Sequence, residues 1–169
     1  MRHLARVHPS SAQGRAAGEE LTRFCTHCAV LFDEPTAPAG TPNRARVCPR
    51  CGLGVVLTCA AETLKGPGAA FLVVPADLRV SAASQAAEDM FAVPDGTYGR
   101  PLMSLLTSPA GVGELARVVV GAANGTMAPV TVPVAPAASD IAAPGGLEAR
   151  IGGCASPPAA LVVVEVTSA

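Results

Sequence analysis

Four cysteines in the first third of the chain form two Cys-x-x-Cys pairs, Cys25 with Cys28 and Cys48 with Cys51, with nineteen residues between the pairs. This spacing is typical of a tetrahedral Zn²⁺ site, because each pair presents two sulfurs from one tight turn. Four thiolates complete the coordination of a tetrahedral ion, so we expect a structural metal rather than a catalytic one. Iron accepts the same ligands, and the spacing leaves the choice between zinc and iron open.

The rest of the sequence sets the context of this site. The 169 residues suffice for one ordinary domain and a small one. We find neither an apolar secretory run at the start nor about eighteen consecutive apolar residues, which predicts a cytoplasmic protein without a membrane span. In a reducing cytosol paired cysteines are more often metal ligands than disulfides. The two remaining cysteines, Cys59 and Cys154, are interpreted as small buried hydrophobic residues.

Composition divides the chain into three parts. Residues 1–20 are polar and rich in Arg, Ser and Gly, which predicts a disordered tail. Residues 21–64, here called the N-terminal module, are too few to bury a core alone, so a bound metal would supply folding energy. The linker Lys65-Gly66-Pro67-Gly68 marks a boundary before a second domain at 69–167.

The N-terminal module resembles the zinc ribbon family, with its four paired cysteines at the family's ligand positions. Gly52 provides the positive φ that a turn of this kind needs after its second cysteine, whereas the first turn has Ala29 there. The resemblance implies a structural Zn²⁺ but no particular task, since ribbons occur in nucleic-acid binders, enzymes and interaction modules. His27 could replace one ligand, although an exposed side chain on the turn is the simpler interpretation.

The second domain shows a clear order of predicted elements. These are strands at 70–74 and 78–80, helices at 85–91, 101–106 and 113–124, and strands at 128–135, 147–152 and 161–166. The first and last strands are the most continuously apolar, which places them at the sheet centre. The predicted fold class is therefore α+β: a small β-rich zinc ribbon followed by a five-stranded antiparallel sheet with helices on one face.

Several motifs of this domain, in this order, resemble the PAS domain family. Phe71–Val80 is similar to its opening hairpin, and Ser84–Phe91 to its first helix, with Ser84 where the family often has Asn. Gly99-Arg100-Pro101-Leu102 is similar to the segment that follows. The resemblance covers 69–167 and implies a PAS-like sensing or protein-interaction domain that often dimerises.

A ligand of such a domain would lie between the sheet and the helices. The candidate lining residues are Val73, Met90, Phe91, Tyr98, Leu102, Leu106, Val118 and Val119. The alternative is that these side chains pack against one another and fill the core, which Val, Leu and Ala can do without many aromatic residues.

The distribution of histidine restricts the chemistry, because none follows His27. The second domain cannot build a Ser–His or Cys–His nucleophile pair from its own residues, and a His-ligated haem is excluded there. No cysteine lies in a flavin-binding motif, and no Gly-rich loop carries the Lys of a phosphate site. We therefore expect no enzymatic activity and neither haem nor flavin.

These features predict a non-enzymatic regulatory or signalling protein without an output domain of its own, acting through a protein partner and able to dimerise through its PAS-like domain. One alternative is a transcription-associated regulator that binds nucleic acid through the basic first third of the chain. Its candidate contacts are Arg23, Arg44, Arg46 and Arg50. Another is a thiol-based redox switch in which oxidation of the paired cysteines expels the metal.

Overall fold

The computed structural model describes residues 20–32, 47–138, 146–155 and 157–167. The predicted tail, except for Glu20, lies outside these ranges, as do Arg44 and Arg46. The strands are β1 Leu21–Cys25, β2 Leu31–Phe32, β3 Val56–Ala60, β4 Ala70–Val74, β5 Ala82–Ala83, β6 Leu106–Thr107, β7 Val130–Pro136, β8 Leu147–Ala155 and β9 Ala159–Val166. The helices are α1 Gln85–Phe91, a 3-10 turn at Leu102–Ser104, and α2 Val112–Ala123.

The strands form a curled antiparallel sheet in the order β2-β1-β3-β8-β9-β4-β5. One edge of β8 serves two partners, because β7 pairs with its first five residues and β3 with Cys154 and Ala155. The predicted linker at 65–68 therefore connects two strands of the same sheet, β3 and β4. At this level the α+β class is confirmed, since a mainly β chain carries two α-helices.

Strands β4 and β9 are both interior strands of this sheet, as their apolar sequences predict, although β4 is next to the edge strand β5. They pair from Ala70 opposite Val164 to Val74 opposite Ala160. All of β4 and the residues of β9 up to Val164 are buried. Successive residues of a strand point to opposite faces, so continuous burial requires that both faces of the sheet be covered.

The two faces belong to two separate cores. The helix-side core lies beneath α1 and α2 and includes Leu72, Val74, Phe91, Leu102, Leu106, Leu115, Val118, Val119, Ile151, Val162 and Val164. The module-side core lies on the opposite face and contains Phe24, Ala29, Leu57, Cys59, Leu64, Phe71, Val73, Cys154, Ala159, Leu161 and Val163. The N-terminal module thus packs onto the sheet face that the helices leave open.

The predicted helix at 85–91 is confirmed, and so is its N-cap. The Ser84 hydroxyl accepts a hydrogen bond from the backbone N–H of Ala87 at 3.2 Å, and Ala92 ends the helix with a φ of +45°. The predicted 113–124 helix is α2, shifted by one residue. Of the helices in the described ranges, none combines the length and apolar composition that crossing a bilayer requires.

The predicted strand at 78–80 is wrong. Leu78 has a φ of +63°, and the Asp77 carboxylate accepts a hydrogen bond from the Arg79 N–H at 3.0 Å, which turns the chain there. The backbone of this segment then bonds to the segment before the 3-10 turn, with the Val80 N–H donating to the Arg100 carbonyl. The neighbour of β4 is instead the short strand β5.

Candidate metal centre

The two Cys-x-x-Cys turns have the same backbone shape. The N–H of Ala29 donates to the Cys25 carbonyl at 3.2 Å, and the N–H of Gly52 donates to the Cys48 carbonyl at 2.9 Å. In both turns the residue after the second cysteine has a positive φ, +54° at Ala29 and +70° at Gly52. Alanine therefore adopts the conformation that glycine adopts more easily in the second turn.

The four predicted cysteines come together in space. Their sulfur atoms all lie within 4.8 Å of one another, with 3.6 Å between Cys25 and Cys51 and 3.9 Å between Cys28 and Cys48. A tetrahedral ion with metal–sulfur bonds of about 2.3 Å separates its sulfurs by about 3.8 Å. The sulfur positions therefore fit a metal ion such as zinc, and His27 does not belong to this cluster.

Backbone groups pack closely against the sulfurs. The His27 N–H donates to the Cys25 sulfur at 3.4 Å, and a Cβ added at Gly54 would overlap that sulfur. The Gly54 carbonyl also accepts from the Cys48 N–H at 2.7 Å. Only glycine fits at position 54, because any side chain there would overlap the first turn. The cysteine spacing does not predict this role of Gly54; the only sequence signal for it is a second glycine so close to Gly52.

The protein environment treats the thiols differently. Burial raises the pKa of the Cys25 thiol to about 12. The backbone N–H groups of Gly54 and Leu53 lower the pKa of the Cys51 thiol to about 6. Cys51 is the more readily ionised of the two, whereas an arriving metal ion must displace the proton of Cys25.

Hydrogen bonds join the turns to each other and to the second domain. The Thr26 N–H donates to the Val55 carbonyl, and the Val55 N–H donates to the Thr26 hydroxyl, both at 2.9 Å. The carbonyl of His27 accepts from the N–H of Gln85, the first residue of α1, at 3.1 Å. The first turn is therefore bonded both to the second turn and to a helix of the second domain.

The candidate pocket residues divide among three locations. Phe91, Leu102, Leu106, Val118 and Val119 are buried in the helix-side core, and Met90 packs against it. Val73 lies in the module-side core. Tyr98 leaves 78% of its surface exposed.

Of the candidate nucleic-acid contacts, Arg23 is half-buried on β1 and Arg50 is exposed in the second turn. A carboxylate of α1 has a structural role. Glu88 on α1 accepts hydrogen bonds from the N–H of the buried Thr97 at 3.0 and 3.2 Å and from its hydroxyl at 2.7 Å. This carboxylate holds the turn after α1 in place.

Comparison with known proteins supplies no relative, since the chain matches no protein-family model, no curated protein and no solved structure. The chemistry of the site follows from its own geometry. Four cysteines from two equivalent turns can hold one metal ion, and a tetrahedral ion held by all four has no open position for a substrate.

Proposed function

We propose that the protein is a non-enzymatic regulatory protein in which a structural Zn²⁺ holds a ribbon-like module against a PAS-like sheet. The observation that carries this proposal is the closed cluster of four sulfurs. A metal with four protein ligands stabilises structure and offers no site for catalysis. The ion would hold together a module whose described part contains three short strands, β1, β2 and β3, and the turns around them.

The arrangement of the second domain supports its PAS-like assignment. Five of its strands pair in the order β7-β8-β9-β4-β5, all antiparallel, with the first and last strands of the domain side by side. The helices come between its second and third main strands and pack on one face. Ser84, which stands where the family often has Asn, caps the first helix.

Regulation would act through the sheet face that the module covers. Loss of the metal would loosen the module and uncover Phe71, Leu161 and Val163 of the module-side core. Newly exposed apolar surface of this kind is a site for protein association. We therefore propose a protein partner, or a second copy of the chain, as the receiver of the signal.

Native and denaturing mass spectra of protein purified without added metal test this function. The expected native mass is that of the chain plus one Zn²⁺, and the metal is lost on denaturation. The native spectrum also counts subunits and reveals any small molecule retained in the helix-side core. A folded chain that carries no metal would contradict the proposal, and turnover of a bound small molecule would contradict its non-enzymatic part.

A further inference from the structure

Two cysteines outside the metal centre lie opposite each other where the N-terminal module joins the sheet. Cys59 of β3 is in direct antiparallel register with Cys154 of β8. Both side chains belong to the module-side core, with 0% and 5% of their surfaces exposed, so they leave their strands on the same face. Residues so placed carry Cβ atoms about 4.5–5.5 Å apart.

This placement satisfies the main requirement of a disulfide. A disulfide joins cysteines whose Cα atoms are about 4.4–6.8 Å apart, which is the range of opposed residues in antiparallel strands. We propose that Cys59 and Cys154 form a redox site, separate from the metal centre, whose disulfide locks the N-terminal module onto the sheet.

The position of Cys59 and Cys154 determines what a disulfide between them would do to the fold. Among the described residues, two pairs connect β3 to β8, Thr58 with Ala155 and Cys59 with Cys154. A disulfide between 59 and 154 would close most of the second domain into one covalent loop and keep β3 beside β8 after the metal has left. Without the disulfide, non-covalent interactions alone would hold β3 beside β8. The inference requires neither a PAS-like fold nor a particular metal.

The oxidant is a small-molecule disulfide. The thiolate of one cysteine attacks it, forming a mixed disulfide and releasing one small thiol. The second cysteine then attacks the protein sulfur of the mixed disulfide, forming the Cys59–Cys154 bond and releasing the second small thiol. The two protons and two electrons of the protein thiols leave with the two released small thiols. Burial raises the pKa of Cys154 to about 12, which leaves little of the reactive thiolate. We therefore expect the exchange to be slow while β3 and β8 remain paired.

Peptide mapping of the full, zinc-loaded chain tests whether the bond forms. The protein is incubated with oxidised glutathione, denatured, alkylated at its remaining thiols and digested with trypsin and chymotrypsin. Cleavage after Leu53 or Leu57 separates Cys51 from Cys59. We expect a peptide that links Cys59 to Cys154, lost on addition of a reductant and not formed by the Cys154→Ser variant. Recovery of Cys59 and Cys154 as alkylated or glutathionylated monomers, or joined to other cysteines, would overturn the proposal.

A second measurement tests the lock. Oxidised and reduced wild-type chains are treated with a zinc chelator and then with a low concentration of protease. Protease should degrade the full-length oxidised chain at least about tenfold more slowly than the reduced chain. The reason is that the disulfide restrains the metal-free chain from opening between β3 and β8. For each of the variants Cys59→Ala and Cys154→Ala, the rate of proteolysis should be the same with and without oxidant. Equal rates for oxidised and reduced wild type would refute the locking role, and this comparison does not depend on how well the variants fold.

Discussion

The rings of Phe24 and Phe71 meet edge to face, with centroids 5.3 Å apart and planes at 84°. Phe24 immediately precedes Cys25, the first cysteine of the four-sulfur cluster, Phe71 lies in the interior strand β4, and both are fully buried. An aromatic pair of this geometry contributes about 0.5–1.5 kcal/mol beyond the burial of its area. The four-cysteine cluster and the second domain are therefore parts of one packed structure, so a substitution in either one should affect the stability of the other.

Replacing Phe71 with alanine should destabilise the chain by about 3–5 kcal/mol, because it removes a buried ring and leaves a cavity between module and sheet. Denaturant unfolding of the zinc-loaded protein measures this change. The same loss of a ring at the exposed Tyr98, in the Tyr98→Ala variant, should change the free energy of unfolding by less than about 0.5 kcal/mol. Equal effects at the two positions would mean that the module-side core does not contribute to stability.

Removal of the metal should uncover the module-side core. A chelator added to the zinc-loaded chain should raise the fluorescence of an apolar dye such as ANS, and an equivalent of Zn²⁺ should restore the original signal. The Cys51→Ser variant should bind the dye without chelator. A chelated chain whose dye binding and far-ultraviolet circular dichroism both remain unchanged would show that the module holds its place without a metal.

The features that could be predicted from the sequence are those with local signals. The Cys-x-x-Cys spacing predicts that the four sulfurs come together, because each pair is made within one turn. Ser84 predicts the start of α1, because capping involves neighbouring residues. The apolar runs of β4 and β9 likewise predict that those strands are buried inside the sheet. Each of these inferences needs only a few consecutive residues.

The features that could not be predicted depend on contacts between distant segments. The pairing of Cys59 with Cys154 joins positions far apart in the sequence, and no local pattern marks it. Alternation along β4 predicts that Leu72 and Val73 point to opposite faces of the sheet. It does not predict that a second hydrophobic core covers the face of Val73. The prediction of a strand at 78–80 was wrong for a similar reason, because the backbone groups of Leu78 and Val80 form hydrogen bonds with residues 99–102.

Adding a methyl group at Gly54 should weaken metal binding. The new Cβ would overlap the sulfur of Cys25 and lie 2.8 Å from the backbone nitrogen of His27, so the first turn must shift. We expect Gly54→Ala to lower zinc affinity about 10–100-fold, measured by competition with a chromophoric chelator. Gly66→Ala is the matched control, because a Cβ there meets no atom within 4 Å and should leave the affinity unchanged. Equal affinities for all three proteins would contradict the close approach at Gly54.

The same substitution at two buried threonines should have opposite effects on stability. Thr63 and Thr97 are both fully buried, but the hydroxyl of Thr63 finds no hydrogen-bond partner among the described residues, whereas that of Thr97 donates to Glu88 at 2.7 Å. Thr63→Val should raise the free energy of unfolding by about 1 kcal/mol, because it removes a buried polar group that gains nothing in the fold. Thr97→Val should lower it by about 1.5–3 kcal/mol, because it removes a hydrogen bond to a charged carboxylate. Denaturant unfolding of both variants measures the two changes, and a loss of stability in Thr63→Val similar to that in Thr97→Val would show that the Thr63 hydroxyl has a partner in solution.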